Sequence, residues 1–314
     1  MKALVTGGAG FIGSHLAEAL CRLGAEVVVL DNLSSGLERN LAWRQPGDRL
    51  ELVRGDVRDA ALVRQVMAGC QWVFHEAAIA SVPFSVEHPL DTNAQNLDAT
   101  LLLLAAARDA RVSRFVFASS SAIYGDGPEP VKTEGLPPRP VSPYALQKYA
   151  GERYAQLFHS LYGLETVALR YFNVFGPRQV FDSPYSGVIA RFCTAMLAHQ
   201  APTIFGDGGQ TRDFVFVANV VQANLRAAQA PAARAAGRVF NVASGRATSL
   251  LDLAAALNRL TGQTLAPVHA PARLGDVRHS LADITAAREG LEFDPAVALE
   301  SGLERTLEFY RTGV

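Results

Sequence analysis

Residues 1–23 read MKALVTGGAGFIGSHLAEALCRL, and the fold class follows from this stretch. Ala3, Leu4 and Val5 make a short apolar run with strand character. Thr6-Gly7-Gly8-Ala9-Gly10-Phe11-Ile12-Gly13 follows, and behind it Ile12, Leu16, Ala19, Leu20 and Leu23 recur at helical spacing. Strand, glycine turn and helix in that order are the context a dinucleotide fingerprint requires. Gly7 permits the tight turn, Gly10 lets the backbone approach a pyrophosphate, and Gly13 lets the helix pack closely on the strand. The helix N-terminus then offers N–H groups and a positive dipole end to the phosphates. A second apolar run, 26–30, ends in Asp31, 18 residues beyond Gly13, about where a carboxylate meets the adenosine ribose hydroxyls. Glycines alone also punctuate ordinary turns; the acid at this distance separates the two readings.

Composition agrees with a globular enzyme. A chain of 314 residues with 49% hydrophobic content can bury a large core, and its length suggests two lobes. With 29 basic and 30 acidic residues, nothing favours nucleic acid or an anionic membrane as partner. The longest unbroken apolar run, 101–107, is far short of the ~18 residues of a membrane span. The N-terminal apolar run is itself the first strand, which argues against a signal peptide. Cys21, Cys70 and Cys193 are scattered and form no CxxC pair, so they read as buried thiols of a reducing, cytoplasmic compartment. Seven histidines show no ligand spacing, and no metal is expected.

Beyond Asp31 the chain alternates. Strands are expected over 50–53, 72–75, 114–118 and 166–170, with helices over 60–67, 89–110 and 144–162. The helix over 89–110 is apolar almost all round, which implies burial on more than one face. Such alternation gives parallel strands with right-handed crossovers and helices on both faces. The expectation is therefore an α/β, Rossmann-type doubly wound sheet with a smaller C-terminal substrate-binding lobe. The Pro-rich segment 128–143 reads as a surface loop. After Asn173 the elements shorten, and a return to alternation (strand 213–217, a helix to 228, strand 238–242) is expected to rejoin the sheet.

Chemistry belongs where the strands end. Ser119, Ser120 and Ser121 supply hydroxyls at such an edge, and His75, at another, reads as a core histidine with its hydrogen bonds satisfied. Tyr144 and Lys148 are four apart and share one helix face. Bringing a phenol from its ordinary pKa near 10 to ~7 takes roughly 4 kcal/mol. A cation ~5 Å away at an effective dielectric of ~20 offers about 3 kcal/mol. Lys148 together with the positive ring of an oxidised nicotinamide therefore suffices to activate Tyr144.

TGGAGFIG, Asp31, SSSAIYG and Tyr144-xxx-Lys148 together resemble an extended short-chain dehydrogenase/reductase of the nucleotide-sugar epimerase and dehydratase family. The similarity continues through Arg170-Tyr171-Phe172-Asn173, Gly206-Asp207-Gly208 with Arg212-Asp213-Phe214, and GDVRHSLAD over 275–283. UDP-hexose 4-epimerases match best, and Ser81-Val82-Pro83-Phe84-Ser85 with GDVRHSLAD is most similar to the UDP-N-acetylglucosamine 4-epimerases.

The resemblance implies NAD as cofactor, contacted by Gly7, Gly10, Phe11, Ile12, Asp31, Asn32, Asp56, Val57, Ala77, Asn93, Tyr144, Lys148 and Tyr171. Asp31 would repel a 2′-phosphate and so exclude NADP, while Asp56 and Asn93 keep a second reading as turn or cap residues. Ser81, Ser121, Tyr144, Asn173, Arg212, Arg273, Asp276, Arg278 and Ser280 are implied to hold the UDP-sugar. Guanidinium forks suit diphosphate oxygens, the alternative being solvated arginines. The catalytic set implied is Ser121, Tyr144 and Lys148, with Ser121 preferred because it directly precedes Ala122-Ile123-Tyr124-Gly125. Tyr144 would take the C4 hydroxyl proton while C4 is transiently oxidised, and the 4-keto sugar would turn its other face before reduction.

By the same resemblance, residues 1–173 and 213–243 form the NAD-binding domain and 174–212 with 244–314 the nucleotide-sugar domain. Helices over 94–110 and 146–162 would build a homodimer interface. The Ala122-Ile123 pair stands where 4,6-dehydratases and UDP-glucuronate decarboxylases carry acid. A UDP-glucuronate 4-epimerase needs no such acid and stays open as the alternative. A non-catalytic NAD sensor would have no need of Tyr144 and Lys148. At Ser280 the matching position faces the hexose C2 substituent, or else the serine packs in a turn.

Overall fold

A computed structural model describes residues 1–180, 187–272 and 278–312. The first half gives β1 (Lys2–Thr6), α1 (Phe11–Arg22), β2 (Glu26–Asp31), β3 (Leu50–Arg54), α2 (Ala60–Met67) and β4 (Trp72–His75). Then come α3 (Val82–Glu87), α4 (Pro89–Asn93), a π turn (Ala94–Asp98), α5 (Ala99–Asp109), β5 (Arg114–Ser120), a 3₁₀ turn (Ser121–Tyr124), α6 (Pro143–Tyr162) and β6 (Thr166–Tyr171). Next are β7 (Asn173–Phe175), α7 (Val188–Leu197), β8 (Thr203–Phe205), β9 (Thr211–Phe216), α8 (Val217–Gln229) and α9 (Ala232–Ala235). The chain closes with β10 (Arg238–Val242), β11 (Ala247–Ser249), α10 (Leu250–Thr261), β12 (Val268–Ala270), α11 (Thr285–Leu291) and α12 (Leu299–Thr312).

Seven strands form one parallel sheet in the order β3-β2-β1-β4-β5-β6-β10. From β1 the chain winds outward first to β2 and then, in the opposite direction, to β4. The crossovers diverge there and leave a crevice beyond the carboxyl ends of β1 and β4. Alternation along the strands feeds two cores. Ala3 and Val5 face α1 and α8 with Leu16, Leu20 and Val220, whereas Leu4 and Val28 face α2 and α5 with Val63, Leu103 and Leu104. A third core of Phe175, Phe192, Phe214, Phe216, Leu253 and Leu303 lies among α7, α10 and α12, apart from the main sheet. Each core contains one free, buried cysteine: Cys21, Cys70 and Cys193 in turn.

Close approach explains two of the glycines. At Gly7 φ is +69°, and a Cβ there would stand 2.7 Å from the Ala77 nitrogen. At Gly13 a Cβ would run into the Gly7 carbonyl oxygen, so any side chain would pry α1 off the turn. Helix α6 is delimited as its sequence requires. The Ser142 hydroxyl accepts from the Ala145 N–H at 3.2 Å, Pro143 stands in the first turn, and Gly163 ends the helix at φ +72°.

Two expectations need correction. The strand over 213–217 does not rejoin the main sheet: β9 pairs with β7 in parallel and β11 antiparallel, and only β10 returns. Phe214 and Phe216 explain this, because their side chains belong to the third core. The segment 128–143 is also more than a surface loop. Lys132 is buried, its ammonium donates to the carbonyls of Gly127 (2.9 Å) and Glu129 (2.7 Å), and its N–H donates to Leu281 at 2.7 Å. Among the described residues no helix is long and apolar enough to cross a membrane.

Candidate active site

The crevice beyond β1 begins with the turn at 7–10, where the Gly10 N–H donates to the Gly7 carbonyl at 3.0 Å. No side chain caps α1 and no acid occupies its first turn, so the N–H groups around Phe11 and Ile12 meet the crevice without a built-in anion. Asp31 lies buried beside this turn. One carboxylate oxygen accepts from the Ala9 N–H (2.9 Å), the other from the Leu33 N–H (2.8 Å), and Gly36 backs both. Each oxygen keeps a lone pair for a ribose hydroxyl. The uncapped helix end, the bare Gly10 and the fixed carboxylate fit a dinucleotide without a 2′-phosphate.

Around Asp56 the turn reading has support. Asn32 donates to Asp56 at 3.1 Å, and Arg58 grips the same carboxylate at 2.9 and 2.8 Å through its guanidinium. Those Arg58 bonds, ahead of all else, hold the Asp56 carboxyl down to about 2. Val57 is buried next to it, and the Ala77 N–H lies 3.3 Å from the Thr6 hydroxyl. The π turn moves the expected asparagine. Asn93 is partly exposed and donates to Asp98 at 3.2 Å, while the wider turn carries Asn96 inward. Asn96 accepts from the Ile79 N–H (2.8 Å) and donates to the Gln147 side chain (2.9 Å).

Along α6, Tyr144, Lys148 and Glu152 are spaced four apart on one buried face. Lys148 donates to the Ala118 carbonyl at 2.8 Å and lies over the Phe117 ring; burial pulls it down to about 8. The Tyr144 phenol is pushed up by burial, eased by a hydrogen bond with Ser120 and raised further by the Glu76 charge. This net direction is opposite to the activation expected from Lys148, because desolvation outweighs the relief that the Ser120 hydrogen bond gives. His75 behaves as expected of a core histidine. Its nitrogens meet the hydroxyls of Thr6 (2.8 Å) and Thr100 (2.9 Å), and burial holds it down to about 3.

The three serines have separate partners. Ser119 donates to Glu152 at 3.0 Å, Ser120 meets the Tyr144 phenol, and Ser121 opens the 3₁₀ turn. The hydroxyl beside the phenol is thus Ser120, correcting the preference for Ser121: β5 runs through Ser120, and the chain leaves the sheet only afterwards. Glu152 in turn holds Arg170 through two bonds of 2.7 and 2.9 Å, and Arg170 reaches the Tyr124 hydroxyl at 2.9 Å. Tyr171 spends its own hydroxyl on Glu76 and Asn224, both at 2.7 Å, which leaves only its ring for a cofactor.

Of the residues expected to hold the sugar nucleotide, Ser81 caps α3 by accepting from the Phe84 N–H at 3.2 Å. Asn173 opens β7 and is exposed, and β7 lies directly beside β9, which carries Arg212. The Ser280 N–H donates to the Thr211 carbonyl at 3.2 Å, which places Ser280 next to Arg212. Arg278 forks onto Asp207 at 2.7 and 2.8 Å, so a diphosphate must compete with that carboxylate. Arg273 and Asp276 lie outside the described residues. Asp213 had no assigned role, yet it is fully buried and gathers the N–H groups of Ser244 (2.8 Å), Gly245 (3.0 Å) and Ala282 (3.2 Å).

A family profile described as "NAD dependent epimerase/dehydratase family" matches residues 3–243. The chain belongs to this family. A UDP-glucose 4-epimerase of Mycolicibacterium smegmatis is 42% identical, with 99% of each chain covered. Among solved structures, a UDP-N-acetylglucosamine 4-epimerase from Methanobrevibacter ruminantium, in complex with UDP-N-acetylmuramic acid, superposes with a TM-score of 0.94 at 39% identity. That match covers 100% of this chain and 99% of the other. A Thermus thermophilus UDP-glucose 4-epimerase complexed with NAD gives 0.88 at 37% identity, covering 100% of both chains.

In this NAD-dependent epimerase/dehydratase the crevice at β1 and β4 brings together the glycine turn, the uncapped end of α1 and the Asp31 carboxylate. No group of three or more potential metal ligands occurs among the described residues. Ser120 had one signal in the sequence: it is the last residue of the apolar strand, and so the last whose position the sheet fixes. Ser120→Ala should lower turnover at least about tenfold, the worth of one hydrogen bond to a developing charge. Ser121→Ala should stay within about twofold on the same scale. Steady-state rates of the two variants decide; a larger loss in Ser121→Ala than in Ser120→Ala would return the role to Ser121.

Proposed function

We propose that the chain is an NAD-dependent UDP-hexose 4-epimerase that interconverts UDP-N-acetylglucosamine with UDP-N-acetylgalactosamine, and UDP-glucose with UDP-galactose. The observation that carries this is the Ser120–Tyr144–Lys148 cluster at the carboxyl edge of the sheet, beside the uncapped end of α1. Tyr144 takes the proton of the C4 hydroxyl, Ser120 hydrogen-bonds the same oxygen, and Lys148 adds positive charge beneath the site. When bound, NAD supplies the hydride acceptor at C4 and the hydride donor for its return. The positive nicotinamide ring also offers the charge that the buried phenol lacks in the protein alone. Arg212 and the segment at 278–280, with Arg273 and Asp276, anchor UDP while the 4-keto hexose turns. The residues that follow Ser120 are Ser121, Ala122 and Ile123, so no carboxyl stands there to eliminate water or promote decarboxylation.

Incubation with NAD and, separately, UDP-galactose, UDP-N-acetylgalactosamine and UDP-glucuronate, followed by NMR, tests the reading. C4-inverted products are expected from the first two; conversion of UDP-glucuronate alone would favour the alternative 4-epimerase. Tyr144→Phe should keep binding of NAD and UDP-sugar yet lose at least ~100-fold in turnover.

The substrate range rests on Ser280. A phenol at this wall would fill the space an acetamido group needs, whereas a serine leaves it open. The N-acetylated ligand of the Methanobrevibacter relative supports a roomy wall in proteins of this type. Ser280→Tyr should cost ~1–3 kcal/mol on the N-acetylated pair, roughly 5- to 150-fold in rate, and spare the plain pair. Equal losses on both pairs would refute the assignment.

A homodimer is proposed from α5 and α6. Leu146, Leu157 and Leu161 are exposed along one face of α6, and Leu101 and Leu102 on the neighbouring α5 are half-buried. Light scattering should report twice the 33.6 kDa chain mass, and Leu157→Glu with Leu161→Glu should bring it down to one chain. Buried, free thiols at Cys21, Cys70 and Cys193 support a reducing compartment such as the cytoplasm.

A further inference from the structure

Glu76 has no catalytic or binding role above, yet it stands at the site: it follows His75, which pairs with Phe117 of β5, and Lys148 donates to the next β5 residue, Ala118. It follows β4, its N–H donates to the Thr6 carbonyl at 3.2 Å, and the next residue is packed against Gly7. The carboxyl accepts from the Tyr171 hydroxyl at 2.7 Å, and Asn224 on α8 donates to that same hydroxyl at 2.7 Å. The glycine turn, β6 and α8 therefore fix it from three sides. From α6 it faces Lys148 and Tyr144, and both feel its charge. Next to it in the chain, His75 is neutral and occupied by Thr6 and Thr100. Lys148 is thus the one cation that acts on this carboxyl among the described residues.

We propose that Glu76 is a positioning residue for the Tyr144–Lys148 pair: a clamped, half-buried carboxyl that keeps its proton while Tyr144 is ionised, so that the pocket holds one anion at a time. Two neighbouring anions in a low-dielectric site repel, so protonation of one favours ionisation of the other. Burial brings the Glu76 carboxyl up to about 7, which makes the exchange available near neutrality. The proton leaves Tyr144 for water and Glu76 draws one from water, with no other reactant needed. This rests on Tyr144 being the base, as proposed above.

Glu76→Gln keeps an acceptor for the Tyr171 hydroxyl and removes the charge. In NAD-loaded protein, tyrosinate ultraviolet difference absorbance, with Tyr144→Phe as blank, gives the Tyr144 midpoint without any substrate. Glu76→Gln should move this midpoint, and the acid limb of the kcat/KM–pH profile, down by at least about half a pH unit, roughly threefold more phenolate. A purely structural role would lower the melting temperature and leave both midpoints in place, which overturns the proposal. A shifted midpoint with no turnover of any UDP-sugar would sustain it and refute the epimerase reading instead. Should Glu76→Gln not fold, infrared difference spectra of the unaltered protein follow the carbonyl band of protonated Glu76. That band should vanish at lower pH in Tyr144→Phe than in the unaltered protein, and an unmoved band overturns the proposal.

Discussion

The buried pair between Arg170 and Glu152 is the constraint on which the arrangement of the site depends. Removing both charges from water is costly, and it is offset only where every donor and acceptor is used. Here the guanidinium meets both carboxylate oxygens, Ser119 adds a third bond to Glu152, and Arg170 continues to Tyr124, whose hydroxyl donates to Asn241 at 2.6 Å. The network joins β5, the 3₁₀ turn, α6, β6 and β10. Glu152 lies one helical turn beyond Lys148 and two beyond Tyr144 on the same face of α6. Whatever fixes Glu152 therefore sets how far the phenol and the ammonium reach over the sheet. Removing one partner would leave an unpaired buried charge, a loss on the order of 3–5 kcal/mol.

Much of the sheet and the cofactor crevice could be read from residue spacing, because those features have local causes. A strand followed by GGAGFIG and a helix at 3.6-residue period admits few structures, and Asp31 lies beside that turn as its spacing requires. The i, i+4 relation of Tyr144 and Lys148 likewise needs nothing beyond the helix. What escaped depends on pairing and register. Ser120 and Ser121 are chemically identical, and only the residue at which β5 ends tells them apart. Asn93 and Asn96 differ by the π turn, which inserts a residue per turn without any marker in composition. Glu76 reads as one more polar residue after a strand until Tyr171 and Asn224, about a hundred residues or more away in the chain, close around it. β9 alternates like any sheet strand, yet its phenylalanines are claimed by another core.

Asp213 shows how the smaller sheet is joined to the main one. It sits on β9, in the smaller three-stranded sheet, and its carboxylate collects N–H groups from the loop after β10 and from Ala282. The buried Lys132 backbone joins the same region, accepting from Asn241 at 2.9 Å and from Asp283 at 2.9 Å. The stretch that carries Arg278 and Ser280 is therefore held at its downstream end by the Asn241 side chain of the main sheet and the Asp213 carboxylate of the smaller one. The proposed sugar pocket would thus have a wall that stays in place while its occupant turns.

The distribution of the thiols gives the molecule a set of internal reporters. Cys21 belongs to the core on one side of the sheet, Cys70 to the core on the other, and Cys193 to the third. Burial raises the first two to about 11 and the last to about 12, so almost no thiolate exists at any of them in the closed fold. Because the thiolate is the reactive form, an alkylating reagent modifies each cysteine only when the surrounding core opens. The order in which the three are labelled ranks the opening free energies of the two sheet faces and the outer lobe, with the native chain as its own probe.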